Sequence, residues 1–166
     1  MVPRSEPVTS VRLEPSLAFL QTLWALDHSL QIASKRMERS LRLTGPQRLV
    51  LRIVSSNPRI GAGDLARVLH LHPSTLTGIL RRLGRQHLLQ RHRDPADARR
   101  ALLTITESGQ ALLARHTGTV EAAVTKLLRR QPGRRVGAVR QVLQELALLL
   151  RAAGAGSERR SAGNPC

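Results

Sequence analysis

The sequence predicts a mainly α-helical chain interrupted by one small β-hairpin, and three observations carry that prediction. Apolar residues recur at helical spacings of three, four and seven through most of the 166 residues. From residue 88 the pattern shifts to two short β-compatible runs, "LLQRHR" and "RALLTIT", on either side of the turn-forming "DPADA". Hydrophobic residues make up 41% of the chain but aromatics only 1%, so the core of what reads as one domain, or one domain plus an appendage, must be built from Leu, Val, Ile and Ala.

The elements follow in order. Residues 1–14 are rich in Pro, Ser and charge and read as a flexible arm. Residues 16–43 contain no Pro or Gly, and Leu20, Leu23, Leu30, Met37 and Leu41 form a helical stripe. Leu17, Phe19, Trp24 and Leu26 widen that stripe beyond what one small domain covers, which points to a partner helix. At "TGPQ" a second helix starts, with Thr44 as cap, Gln47 as its third-position partner and Pro46 in the first turn. Leu49, Val50, Ile53 and Val54 are its expected buried face, and "SSNP" ends it.

"GAGDLARVLHL" gives a short third helix with Asp64 in its first turn and Leu65, Val68 and Leu69 facing inward. "HPSTLTGILRRLGRQHLL" gives a fourth, with Pro73 near its start and Leu76, Ile79, Leu80 and Leu83 on its inner face. In the hairpin, Leu88 or Leu89 on one run and Leu103 and Ile105 on the other can face the core. Two helices over residues 107–130 and 132–151 complete the order, the second holding Val136, Val139, Val142, Leu143, Leu146 and Leu150 in register. Residues 152–166 read as a disordered tail.

The formal net charge is +16, which favours a polyanionic partner. Arginine supplies nearly all of it, Lys35 and Lys126 being the only lysines. The scarcity of aromatics disfavours RNA-recognition and OB folds, which stack bases on aromatic platforms. The third and fourth helices, joined by "LHLHP", make a helix-turn-helix, and the hairpin behind them makes a wing. In such a winged helix-turn-helix the fourth helix enters the major groove, with Ser74, Thr75 and Thr77 at its head and Arg81, Arg82 and Arg85 further along. A solvated basic face is the default for any single helix; it is the succession of helix, turn, helix and basic hairpin that favours DNA.

The wing "RHRDPADARR" sets Asp94 and Asp97 among arginines that include Arg93, Arg99 and Arg100. Asp94-Pro95 starts a tight turn, and Asp97 can accept from Arg99 and fix its guanidinium before DNA arrives. Arginine in a narrow minor groove reads shape and potential more than base identity.

The long first helix, "LTGPQ", "DLARVLHLHPSTLTGILRRL" and above all the wing "RDPADARRALLTITESG" resemble the MarR family of bacterial winged-helix regulators. The resemblance covers nearly the whole ordered chain. It implies recognition-helix positions at Thr75 and Thr77, a minor-groove arginine at Arg99, and dimerisation through the N- and C-terminal helices. The implied organisation is an arm at 1–14, a family domain over 15–151 and a tail at 152–166. Within that domain the DNA-binding lobe is 44–106, and 15–43 and 107–151 are dimerisation helices. Gly78, His87 and Ala98 depart from common family residues, and they put the operator sequence in question. His87 has to accept a left-handed backbone or reshape its corner.

Members of the family bind small aromatic or phenolic acids, which here puts Trp24, His28, Arg48 and Arg52 forward as ligand residues. The competing reading of Trp24 is dimer core. The peroxide-sensing branch uses a cysteine in the first helix, whereas the one cysteine here is Cys166. Zinc-sensing members use His and carboxylate clusters, and His28, His70 and His72 do not form such a set with Asp27. "GAGDLA" has the glycine spacing of a dinucleotide site but lacks the preceding strand and the later acid. No catalytic grouping, cofactor motif, secretory signal or membrane-length apolar run is visible, so the expectation is a cytoplasmic, non-enzymatic protein. The expected function is a homodimeric transcriptional regulator on a pseudo-palindromic operator, a ligand-responsive repressor. The alternatives are a ligand-independent activator or anti-silencer, and an architectural DNA-binding protein.

Overall fold

The computed structural model describes residues 12–97 and 100–161, with side-chain surroundings through residue 153. The chain divides into two compact units, Met1–Val120 and Glu121–Cys166. Most of the arm assigned to residues 1–14 lies outside the described residues, as do Ala98, Arg99 and Cys166.

In the first unit, α1 (Pro15–Leu41) ends at Arg42, whose left-handed backbone returns its N–H to Glu38 O. Only the C-terminal part of its stripe, Met37 and Leu41, is buried; Leu20 and Leu30 are exposed in the single chain. Helix α2 (Gly45–Ser56) starts as its sequence demands. Gln47 N–H donates to Thr44 Oγ1 and Thr44 N–H donates to Gln47 Oε1, closing a capping box. Its buried face is rotated from the expected one: Val50, Leu51 and Val54 are fully buried, whereas Leu49 is exposed and Ile53 only half-buried. The cause is Arg48, which is also fully buried and claims the position next to Leu51.

A two-residue strand, β1 (Ile60–Gly61), leads into α3 (Ala62–Leu69), which buries Leu65 and Ala66 and leaves Val68 exposed instead of buried. His70 closes α3 in the left-handed region, and α4 (Pro73–Arg85) follows with Leu76, Leu80 and Leu83 buried. Strands β2 (Leu89–Arg93) and β3 (Ala101–Ile105) form the hairpin, with Leu89 opposite Ile105 and Arg93 opposite Ala101. Strand β1 adds antiparallel to the other edge of β3, giving the order β1-β3-β2. The sequence reading did not anticipate β1, since two residues are too few for a periodicity to register. Leu88, Leu89 and Leu103 join the core beneath the helices.

Helix α5 (Glu107–Ala114) is capped by Thr106, whose hydroxyl accepts from Gly109 N–H and donates to His87 O. A Cβ on Gly109 would lie 2.3 Å from Leu88 O and 2.6 Å from Ile105 Cγ1, so only glycine lets α5 start this close to the sheet.

The helix expected over 107–130 is two helices. Arg115 is extended, Gly118 takes φ +72° and Thr119 Oγ1 donates to His116 O before α6 (Val120–Leu128) begins. Glycine flanked by β-branched Thr117 and Thr119 favours the break. In the second unit α7 spans Gly133–Ser161, so the helix expected to end at 151 continues ten residues into the segment read as a disordered tail. Residues 152–161 hold three Ala, two Arg and one Glu beside two Gly, and no proline falls between Pro132 and Pro165 to stop the helix.

Candidate nucleic-acid interface

The site grows out of the way α4 starts. Pro73 occupies its first turn, where a missing N–H costs nothing, and His72 is the N-cap. His72 Nδ1 accepts from Ser74 N–H at 3.3 Å and lies 2.7 Å from Ser74 Oγ. One turn on, Thr77 Oγ1 donates to Pro73 O at 2.8 Å. Burial of Leu76, Leu80 and Leu83 then decides what the rest of the helix presents. Ser74, Thr75, Thr77, Arg81, Arg82 and Arg85 are all exposed, so the hydroxyl and arginine groups singled out in the sequence share one surface. Gly78 lies among them with open space above its backbone.

The wing turn is closed by the Asp94 carboxylate and by backbone hydrogen bonds. Asp94 Oδ1 accepts from Ala96 N–H at 3.0 Å, the Asx turn that Asp94-Pro95 predicts. Asp94 N–H donates to Arg100 O, and Arg100 N–H donates to Asp97 O at 2.9 Å. Arg93 ends β2 exposed to solvent. The pairing expected between Asp97 and Arg99 lies outside the described residues.

Arg100 is held from elsewhere. Its Nη2 donates to Asp64 Oδ2 at 3.1 Å, and Arg67 donates to the other oxygen of the same carboxylate. This ties the wing to the first turn of α3. A Cβ on Gly61 would approach Asp64 Oδ2 to 2.9 Å and Arg100 Nη2 to 3.4 Å, so the ion pair packs over a glycine. A wing arginine is thus bound by an acid from outside the hairpin, since Asp64 lies 36 residues from Arg100 in sequence. Sequence reasoning saw Asp64 only as a first-turn acid, and nothing local could have paired it with Arg100.

The four residues put forward for a ligand do not share one character. Trp24 (68% exposed) and His28 lie on the open surface of α1. Arg48 is wholly buried. It donates to Leu112 O at 3.1 Å, Leu113 O at 3.0 Å and Arg115 O at 2.8 Å, carbonyls in and just beyond the last turn of α5. Arg52 donates to Leu113 O and to His116 Nδ1, the latter at 2.7 Å. Arg48 therefore serves as the C-terminal cap of α5, where a cation also meets the negative end of the helix dipole, rather than as a cation offered to a cleft. Among the described residues no group of three or more His, Cys, Asp or Glu could hold a metal ion, and no helix is long and apolar enough to cross a membrane.

Comparison with known proteins gives a consistent picture. The MarR family model matches residues 43–101. The organic hydroperoxide resistance transcriptional regulator of Bacillus subtilis is 31% identical over 102 residues, covering 61% of this chain and 68% of that protein. The homoprotocatechuate degradative operon repressor of Escherichia coli is 32% identical over 108 residues, covering 64% of this chain and 72% of that protein. Among solved structures, S. aureus MepR in its DNA-binding conformation superposes with a TM-score of 0.68 at 19% identity, over 80% of this chain and 98% of that one. That likeness shows a shared winged-helix fold.

Proposed function

The chain belongs to the MarR family, and from that premise we propose that it is a sequence-specific double-stranded DNA-binding transcriptional repressor that acts as a homodimer in the cytoplasm. The observation that carries the reading is the exposed face of α4, where three hydroxyl residues precede three arginines beside a wing braced to the same lobe. Relatives named as a transcriptional regulator and an operon repressor support it.

In this reading residues 44–106 form the DNA-binding lobe, and residues 15–43 and 107–151 carry the dimer contacts. Ser74, Thr75, Thr77, Arg81 and Arg82 enter the major groove. Arg93, Arg99 and Arg100 form the wing contact, and Asp97 helps to set it. The exposed Leu17, Phe19, Leu20 and Trp24 of α1 and the exposed Leu148, Leu149 and Leu150 of α7 supply apolar surface for a second copy. Trp24 and His28, being exposed, are available to a small aromatic acid. The E. coli relative, whose name ties it to degradation of an aromatic acid, supports that class of effector.

Footprinting on the DNA upstream of the protein's own coding region tests the proposal. Two protected half-sites about one helical turn, roughly 34 Å, apart are expected, with binding far tighter than to random duplex. Equal affinity for both would favour an architectural role.

A further inference from the structure

The two hydroxyls that the fold commits internally at the head of α4 restrict what the helix can read. A hydroxyl has one proton to give and two lone pairs with which to accept. Thr77 spends its proton on Pro73 O, the usual back-bond of a threonine inside a helix. Ser74 sits in the first turn, where no carbonyl four residues back belongs to the helix, and its oxygen turns instead to His72 Nδ1 at 2.7 Å.

The direction of that bond is fixed by a neighbour. Ser74 N–H also approaches His72 Nδ1, at 3.3 Å, and a backbone N–H can only donate. Nδ1 therefore carries a lone pair, the imidazole proton sits on Nε2, and the Ser74 hydroxyl is the donor. Thr75 makes no side-chain hydrogen bond among the described residues and keeps its proton for use elsewhere.

We propose that Ser74 and Thr77 act on DNA only as acceptors, so that they select exocyclic amino groups, adenine N6 or cytosine N4, in the major groove. His72 is then a positioning residue that sets the specificity of Ser74 through its tautomer. The edges of guanine (N7 and O6) and the O4 of thymine offer acceptors only, and two acceptors facing each other leave both unpaired. Thr75, able both to donate and to accept, is the permissive position of the three. Donors toward guanine and phosphate come from the arginines that follow. The inference rests on the reading of α4 as the groove-reading helix.

The experiment is a binding selection from a randomised duplex library with the full-length protein, repeated with Ser74→Ala, Thr77→Val and His72→Ala. The base pair under each hydroxyl is the one whose preference flattens in the matching variant. At both, binding is expected to depend on the amino group of that pair, adenine N6 or cytosine N4. In the selected duplex bound by the unaltered protein, replacing that adenine by a purine lacking the 6-amino group, or that cytosine by a 4-deamino analogue, should weaken binding by about 5- to 100-fold.

His72→Ala should make binding tolerant of loss of the amino group at the Ser74 position while leaving the Thr77 position sensitive to it. Simple loss of a helix cap would instead weaken all positions together. Indifference to loss of the amino group under Ser74 or Thr77 would overturn the inference while leaving the regulator reading in place. A library that yields no enriched sequence would instead remove the regulator reading itself.

Discussion

His87 holds φ at 53° in the corner between α4 and β2, a conformation that costs a side-chain-bearing residue roughly 1 kcal/mol relative to glycine. The corner persists because Thr106 ties His87 O to the start of α5 and Leu88 N–H returns to Leu83 O. His87→Gly is therefore expected to raise the urea midpoint, by about 0.5–1 kcal/mol of stability, because the tie uses only the backbone of residue 87. A lowered midpoint would show that the imidazole itself supports the corner. Asp64 invites a test of sign. Removing an acid from a DNA-facing lobe should tighten binding if charge alone mattered. Because Asp64 holds Arg100, Asp64→Asn is expected to weaken specific binding in gel-shift titrations while sparing random duplex. Tighter operator binding with the fold intact would count against an orienting role.

At the scale of elements, α5 depends on α2 for its end and on the sheet for its beginning. Thr106 caps the start, Gly109 permits the close approach to Leu88 and Ile105, and Arg48 closes the other end through three carbonyls. Arg48→Met keeps apolar bulk but leaves those carbonyls without their charged donor. Hydrogen bonds to a charged group contribute about 1.5–3 kcal/mol each, partly redundant within one side chain, so a loss of about 2–4 kcal/mol is expected by denaturant unfolding. Arg52 already reaches Leu113 O and softens the loss. A change below about 0.5 kcal/mol would mean that water replaces the guanidinium without penalty.

At the scale of the whole molecule, charge and apolar surface point to two different partners. A net charge of +16 opposes compaction and is relieved on a polyanion, so operator affinity should fall steeply with salt. The exposed leucines and valines of α6 and α7, from Val124 and Leu127 to Leu149 and Leu150, call for apolar cover. Removing residues 132–166 is expected to give monomer or aggregate in sedimentation. A truncated protein that remains a soluble dimer would place the dimer contacts elsewhere.

What the sequence determined by itself was whatever depends on neighbours within about one helical turn. The Thr44 and Gln47 capping box, Pro73 opening α4 and the Asp94 turn are all local and could be read from a few letters, whereas at His87 the sequence left a left-handed backbone and a reshaped corner both open. Helical periodicity likewise located α2 and α4, but it fixes a buried face only to within a residue. Periodicity accordingly expects Leu49 and Val68 inside, where the structure has them exposed, and Arg48, a ligand candidate by sequence, lies in the core. The added strand β1 is hidden for a related reason, since it is made by pairing with β3 rather than by a pattern of its own, whereas the break after Ala114 has a local cause in Gly118 and its flanking threonines. The tertiary structure alone decided which acid holds Arg100 and which carbonyls Arg48 satisfies. Those partners are 36 and more than 60 residues apart, and only the packing of α2, α3 and α5 around the sheet brings them within hydrogen-bond reach.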